Sequence, residues 1–210
     1  MADRSDGDPT VGLGPHPKPW PDDPRLDPEL LAEGDRRNVV DRYRYWRTEA
    51  VRNDLDGHRH PFHVAIENWQ HDANIGSIVR TANAFQAAKV HIVGRRRWNK
   101  RGAMVTDRYQ HIAHHADVDA LAAEARRLDL VVVAIDNTPG AEPLERAQLP
   151  RQAMLVFGQE GPGLSEAAVQ AAERTYSIAQ YGSTRSINAA VAAGIAMHAW
   201  IRDHADPPAD

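Results

Sequence analysis

The sequence contains no cysteine. That excludes disulfide scaffolds, thiolate metal centres and cysteine nucleophiles. Lysine is scarce: of 25 basic residues only Lys18, Lys89 and Lys100 are lysines. Arginine, with its planar and bidentate guanidinium, suits phosphate, although a genome that favours arginine and alanine codons explains the bias equally well. No stretch approaches the ~18 apolar residues of a membrane span, and the mean hydropathy is −0.57. The first residues are acidic and rich in glycine and proline rather than basic and then apolar. No secretory signal is visible there, so a soluble, cytoplasmic protein is expected. The net charge of −4 argues against a uniformly basic nucleic-acid binder but leaves room for a local basic patch.

What is present is enough for a folded domain. The 210 residues, 42% of them hydrophobic, correspond to one domain or slightly more at ~150 residues each. Half of the 14 prolines fall between Pro9 and Pro28, so residues 1–30 read as a disordered tail. Residues 31–60 read as an arginine-rich helical extension. Val39, Val40, Tyr43, Trp46 and Val51 recur at helical spacing between 35 and 54, interleaved with Arg36, Arg37, Arg42, Arg44, Arg47 and Arg52. That face is either simply solvated or an RNA-contacting arm, with Arg44 and Arg47 as candidates. Residues 61–203 form the main domain, and residues 204–210 a short tail.

Within the main domain strand and helix signals alternate. Strands are predicted at Phe62–Glu67, Val90–Val93, Leu130–Ile135, Ala153–Phe157 and Thr175–Ala179. Helices are predicted at Asn74–Ala87, Val118–Leu128, Ser165–Glu173 and Ser186–Asp203. The pattern implies an α/β protein with a mostly parallel sheet covered by helices on both faces. Ligands in such sheets bind in loops at the carboxyl ends of strands, and three candidate loops are unusual. Residues 68–76 run from Asn68 through Asn74 to Gly76 and lead into a helix carrying Arg80. Residues 158–165 hold Gly158, Gly161 and Gly163 around Glu160. Residues 181–188 hold Ser186, Ile187 and Asn188. The glycines fit neither a dinucleotide fingerprint nor a phosphate-binding loop, which would need a following lysine. Taken singly, each feature has a plain explanation: Asn74 and Ser186 as helix caps, Arg80 as an exposed helix arginine, the glycines as a turn.

Together the strings Asn74–Ala82, Leu155–Ser165 and Ser186–Gly194 resemble the three motifs of the SpoU/TrmH family of RNA ribose methyltransferases, in the family's order, with the likeness covering roughly Phe62 to Arg202. The resemblance implies a SPOUT domain whose C-terminal part forms a deep trefoil knot, an exception to the rule of unknotted chains. It also implies bound S-adenosylmethionine and an active site at a homodimer interface. By the same likeness Ile135, Gly158, Ile178 and Ile187 correspond to the cofactor pocket. Arg80, Asn74, Glu160, Ser186 and Asn188 correspond to catalytic positions. A guanidinium stays protonated at neutral pH, which makes a base role for Arg80 unfavourable. The reading adopted is a donor to phosphate and developing alkoxide, with a base role assisted by desolvation left open. Asn74 would orient the arginine or ribose, Glu160 would shape the second loop, and Ser186 and Asn188 the third. Family chains vary at the position of Gln159.

A second basic segment, Arg95-Arg96-Arg97-Trp98-Asn99-Lys100-Arg101, holds five cations in seven residues. Phosphate tracking by Arg95, Arg96, Arg97, Lys100 and Arg101 with base stacking by Trp98 is the functional reading; a solvated loop is the plain one. Histidines cluster at His58, His60 and His63 and at His111, His114 and His115, but no metal-protease pattern accompanies them and no metal is expected. Some members of the family carry a substantial RNA-binding domain before the catalytic unit; here an arginine-rich helix and a proline-rich tail stand before it, which resembles the compact, tRNA-modifying type, so tRNA is the expected substrate. The alternatives are rRNA methylation and a catalytically silent knotted RNA-binding protein.

Overall fold

A computed structural model describes residues 12–70 and 74–207. The chain divides into two compact units, residues 1–57 and 58–210.

In the first unit the described part of the proline-rich segment is ordered, contrary to the expected disorder through residue 30; residues 1–11 lie outside the described residues. Its centre is a carboxylate. Asp35, fully buried, accepts hydrogen bonds from Arg37 Nε at 2.8 Å, Arg37 Nη2 at 2.6 Å and the Tyr45 amide at 2.9 Å. Asp35 and Leu13 bridge through their backbones. Helix α1 (Pro28–Glu33) starts with proline in its first turn and is capped by the Asp27 side chain, which accepts from the Glu29 amide. The single helix expected over 35–54 is broken. Only a 3-10 turn (Asp41–Tyr43) and helix α2 (Thr48–Asp56) form, because Tyr45 adopts φ 63°, a left-handed conformation that ends a helix. The arginines are mostly used internally. Arg44 donates to the Arg37 carbonyl at 2.7 Å, Arg47 to the Leu26 carbonyl at 2.9 Å, and Arg25 lies 4.2 Å over the Trp46 ring. Residues 1–57 carry thirteen acidic and nine basic residues, so this unit is net negative. Arg44 and Arg47 each tie two segments of the unit through a carbonyl, and Arg47 is exposed.

The second unit is built on a parallel sheet. Its strands are β1 (His60–Asn68), β2 (Ala87–Gly94), β3 (Ile112–His115), β4 (Val131–Ile135), β5 (Glu142–Pro143), β6 (Ala153–Phe157) and β7 (Arg174–Ser177). Their order is β3-β2-β1-β6-β4-β7-β5, and every pair is parallel. Parallel strands buried on both faces read as continuous apolar runs, as in the fully buried Ala153–Phe157. Alternate residues of the central strands feed two cores. Phe62, Val64, Ile66, Leu155 and Phe157 pack with helices α3 (Ile75–Ala84) and α6 (Ala189–His204). Ala65, Met154 and Val156 pack with α4 (Val118–Arg127) and α5 (Glu166–Ala171). The expected α/β layering is therefore observed, with additional short strands at β3 and β5.

Boundaries differ where backbone chemistry intervenes. The predicted helix Asn74–Ala87 stops at Ala84 because Gln86 turns at φ 51° and Ala87 already begins β2. The last helix begins at Ala189 rather than Ser186. Its cap is Asn188, whose side chain accepts from the Ala190 and Val191 amides. It also runs through Asp203 and His204, so the expected tail begins later, and the His204 ring bonds the Leu149 carbonyl at 2.6 Å.

Candidate active site

The carboxyl ends of β4 and β6 and the segment that follows β7 meet at a cavity of about 590 Å³. Its walls come from the ends of β4 and β6 (Ile135, Asp136, Asn137, Phe157), from the loop 158–163, and from Ile178 and residues 185–189 with Ala192. All four residues expected to form a cofactor pocket, Ile135, Gly158, Ile178 and Ile187, line it, as do Glu160, Ser186 and Asn188. The sequence separates these residues by up to 53 positions. The sheet order, which sets β4 between β6 and β7, brings them together.

The loop after β6 folds back on itself. Gln159 and Gly163 exchange backbone hydrogen bonds of 3.2 and 3.1 Å. The crossing is so close that a Cβ on Gly158 would lie 2.1 Å from the Gly163 carbonyl carbon; glycine is required there for lack of space rather than for an unusual φ. Three side chains lock the loop to its neighbours. Asp136 Oδ2 accepts from the Leu164 amide at 2.8 Å. Gln159 Oε1 accepts from the Trp69 and Gln70 amides at 2.8 and 2.7 Å. Glu67, fully buried at the end of β1, accepts from the Ser165 amide at 2.7 Å and from Trp69 Nε1 at 3.0 Å. Sequence reasoning missed Asp136 and Glu67 and assigned Gln159 no role. A carboxylate ending an otherwise apolar strand was the available signal for each acid.

Asn74, Glu160 and Asn188 join the three loops directly. Asn74 Nδ2 donates to Glu160 Oε2 at 2.8 Å, and Asn188 Nδ2 donates to Asn74 Oδ1 at 2.9 Å and toward Glu160 Oε1 at 3.5 Å. Asn74 occupies the cap position of α3 but makes no capping bond, so the plain explanation for it fails. Asn188 does both jobs: its Oδ1 caps α6 while its Nδ2 faces the other loops. Ser186 is exposed and lines the cavity without capping the helix. Residues 71–73 of the first loop lie outside the described residues.

Arg80 is exposed on α3, two turns beyond Asn74, and is absent from the cavity wall of its own chain. The basic segment lies at the same edge of the sheet. Asn68 Nδ2 donates to the Arg95 and Arg97 carbonyls at 2.7 and 2.9 Å, and the side chains of Arg95, Arg96, Arg97 and Arg101 are exposed. Trp98 is half-buried and packs against the larger core cluster. Lys100 pairs with Asp107 at 2.9 Å and stands 5.5 Å from the Trp98 ring centre.

The histidine clusters rearrange into a ladder. His63, His91 and His115 lie on one face of β1, β2 and β3, with His63 Nδ1 to His91 Nε2 and His91 Nδ1 to His115 Nε2 both 2.8 Å. Burial lowers the pKa of His63 to about 4 and of His91 to about 3, with further lowering from Lys89 and, for His91, from the neighbouring imidazoles. The three rings form a neutral hydrogen-bonded row across the sheet.

A wholly parallel sheet among the described residues, with three loops braced around one cavity at its carboxyl edge, defines an α/β protein with a preformed small-molecule site. The profile of the SpoU rRNA Methylase family matches residues 61–198, and the chain belongs to that family. An uncharacterized tRNA/rRNA methyltransferase of Mycobacterium ulcerans is 29% identical over 152 residues, spanning 64% of this chain and 44% of that protein. The chain thus matches less than half the length of that relative. The SpoU methyltransferase AviRb from Streptomyces viridochromogenes, solved in complex with AdoMet, superposes with a TM-score of 0.62 at 26% identity, covering 71% of this chain and 60% of that one. A structure giving insights into the 2-OH methylation of C/U34 on tRNA superposes with a TM-score of 0.60 at 26% identity, covering 69% of this chain and 96% of that one.

Proposed function

We propose that the protein is an S-adenosylmethionine-dependent methyltransferase that methylates a ribose 2′-hydroxyl of RNA, with tRNA as the expected acceptor. The observation that carries the proposal is the convergence of three separated loops on one cavity, fastened by Asn74, Glu160 and Asn188. The tRNA preference is supported by the likeness to the structure named for tRNA methylation, nearly all of which the chain covers. The family description names rRNA, so rRNA is the second acceptor to test.

The cavity suits the donor. Its volume of about 590 Å³ lies in the usual range for small-molecule sites. Ile135, Ile178, Ile187 and Phe157 give apolar walls, and the loop backbone around Gly158 offers polar main-chain groups. When bound, S-adenosylmethionine supplies a methyl group activated by its sulfonium. The residues of this chain then have to fix the ribose oxygen in line with that methyl, which is chiefly a matter of positioning. An oxygen–carbon bond forms as the carbon–sulfur bond breaks, and the hydroxyl proton leaves to solvent or to a nearby acceptor. Arg80 binds the adjacent phosphate and stabilises developing alkoxide charge; loss of one such donor typically costs ~3 kcal/mol. Because Arg80 is absent from its own chain's cavity wall, the proposal has it serve the cavity of a second copy in a homodimer. The knotted C-terminal arrangement implied by the family resemblance belongs to the same proposal.

The test is to incubate purified protein with methyl-labelled donor and, separately, bulk tRNA and rRNA. Label in tRNA but not rRNA is expected. Label in rRNA alone replaces the acceptor, and donor binding without transfer to either supports a silent RNA binder.

A further inference from the structure

Between the basic segment and β3 the chain makes two successive 3-10 turns, Arg101–Ala103 and Thr106–Arg108. The two residues between them are the least comfortable in the second unit. Met104 has φ 46° and Val105 φ 69°. A β-branched residue at positive φ is a genuine outlier, and strain of this kind persists only where the surroundings over-determine it. Yet both are exposed large hydrophobics, Met104 at 54% and Val105 at 47%.

The surroundings enforce this shape. Ala103 and Thr106, on either side of the tip, are buried, and Thr106 Oγ1 donates to the Ala103 carbonyl at 2.6 Å. Lys100 and Asp107 close the base of the loop at 2.9 Å. The first turn is pressed against the start of α3: a Cβ on Gly76 would lie 2.8 Å from the Ala103 amide nitrogen, and one on Gly102 would lie 2.8 Å from the Ser77 amide nitrogen. Arg80 follows Gly76 and Ser77 by one turn, on the same side of the helix. A braced loop therefore holds two exposed aliphatic side chains beside the helix that carries Arg80. Around them, residues 95–108 contain six cations and one acid.

We propose that Met104 and Val105 form an apolar wedge that contacts a base of the RNA next to the target ribose, while the flanking arginines hold its phosphates. The charge around the tip selects a polyanion, and the apolar tip selects a flat, weakly solvated surface. A nucleotide lifted out of its stack presents both, and aliphatic wedges between bases are an established way to hold one. Solvated arginines alone would bind phosphate without any need for a strained valine. The inference rests on the RNA methyltransferase reading and adds the residues that choose where on the RNA it acts.

The test uses the full-length protein with Met104→Asn and Val105→Asn combined, because asparagine tolerates the left-handed region. Thermal stability should be unchanged or raised. Donor affinity should be unchanged, and the KM for RNA should rise by roughly tenfold, the effect of losing one base contact. The salt dependence of RNA binding should stay the same, because no phosphate contact is removed. An unchanged KM overturns the proposal. A shift of the variant from dimer to monomer, read by sedimentation, also overturns it by making a second copy the occupant of the tip. Absence of RNA methylation by the wild-type protein instead refutes the underlying functional reading.

Discussion

Acidification should destabilise this protein through the histidine row in the sheet, by an amount the structure sets. In the unfolded chain each imidazole takes up a proton near pH 6.5, whereas His63 does so only near about 4 and His91 near about 3 when folded. Both folded values are depressed, so the unfolded state binds more protons in the interval between. The stability is fully present above the unfolded value and is lost as pH falls toward the folded ones. The slope is 1.36 kcal/mol per pH unit for each group. At pH 5 each histidine therefore costs about 2 kcal/mol relative to pH 7.5, and the pair about 4 kcal/mol, against a typical total of 5–15 kcal/mol. His115, also depressed by burial, acts in the same direction. The assay is urea unfolding at pH 7.5 and pH 5.0, with His91→Gln as the comparison. Glutamine keeps a donor and an acceptor between His63 and His115 but cannot titrate. Whatever its baseline stability, the difference between the two pH values should shrink by about 2 kcal/mol. An unchanged difference would refute the reasoning, as would an imidazole resonance of His91 that titrates near pH 6.5.

Three other substitutions separate structure from chemistry. Asn188→Asp keeps the acceptor that caps α6 but sets a carboxylate beside Glu160; unfolding free energy should stay within about 1 kcal/mol while methyl transfer falls at least tenfold in a single-turnover assay. Gly158→Ala forces the loop crossing apart, so calorimetry should find donor affinity reduced at least tenfold with the circular dichroism of the sheet retained. Asp35→Ala leaves Arg37 without its buried partner, which typically costs 3–5 kcal/mol. Limited proteolysis should then cut within residues 12–57 first and leave residues 58–207 resistant.

The layering of the second unit was legible because parallel strands buried on both faces give unbroken apolar runs, as at Leu130–Ile135 and Ala153–Phe157. The four-residue β3 was missed: Ile112, Ala113, His114 and His115 alternate neither in polarity nor in size, and the strand exists because β2 offers it an edge. The break of the arginine-rich stretch at Tyr45 was hidden for another reason. Apolar spacing carries no information about a left-handed residue fixed by a tertiary bond to Asp35. In the site, the residue types were legible from the three motifs, and their partners were not. Nothing local to Glu67 announces that it receives the Ser165 amide 98 residues away, and Asn74 looks like a helix cap until Glu160 and Asn188 are placed against it. The internal bonds of Arg44 and Arg47 to carbonyl groups, and the packing of Trp98 on the core, were equally invisible in composition.

The central claim is that three loops fastened by Asn74, Glu160 and Asn188 present a ribose oxygen to an activated methyl. Alkaline hydrolysis tests it directly, because a methyl on the 2′-oxygen removes the nucleophile that cleaves the neighbouring phosphodiester. RNA labelled by the purified protein should yield its label in alkali-resistant dinucleotides, and an Arg80→Ala protein should yield roughly a hundredfold less. Label running with mononucleotides would place the methyl on a base and contradict the account.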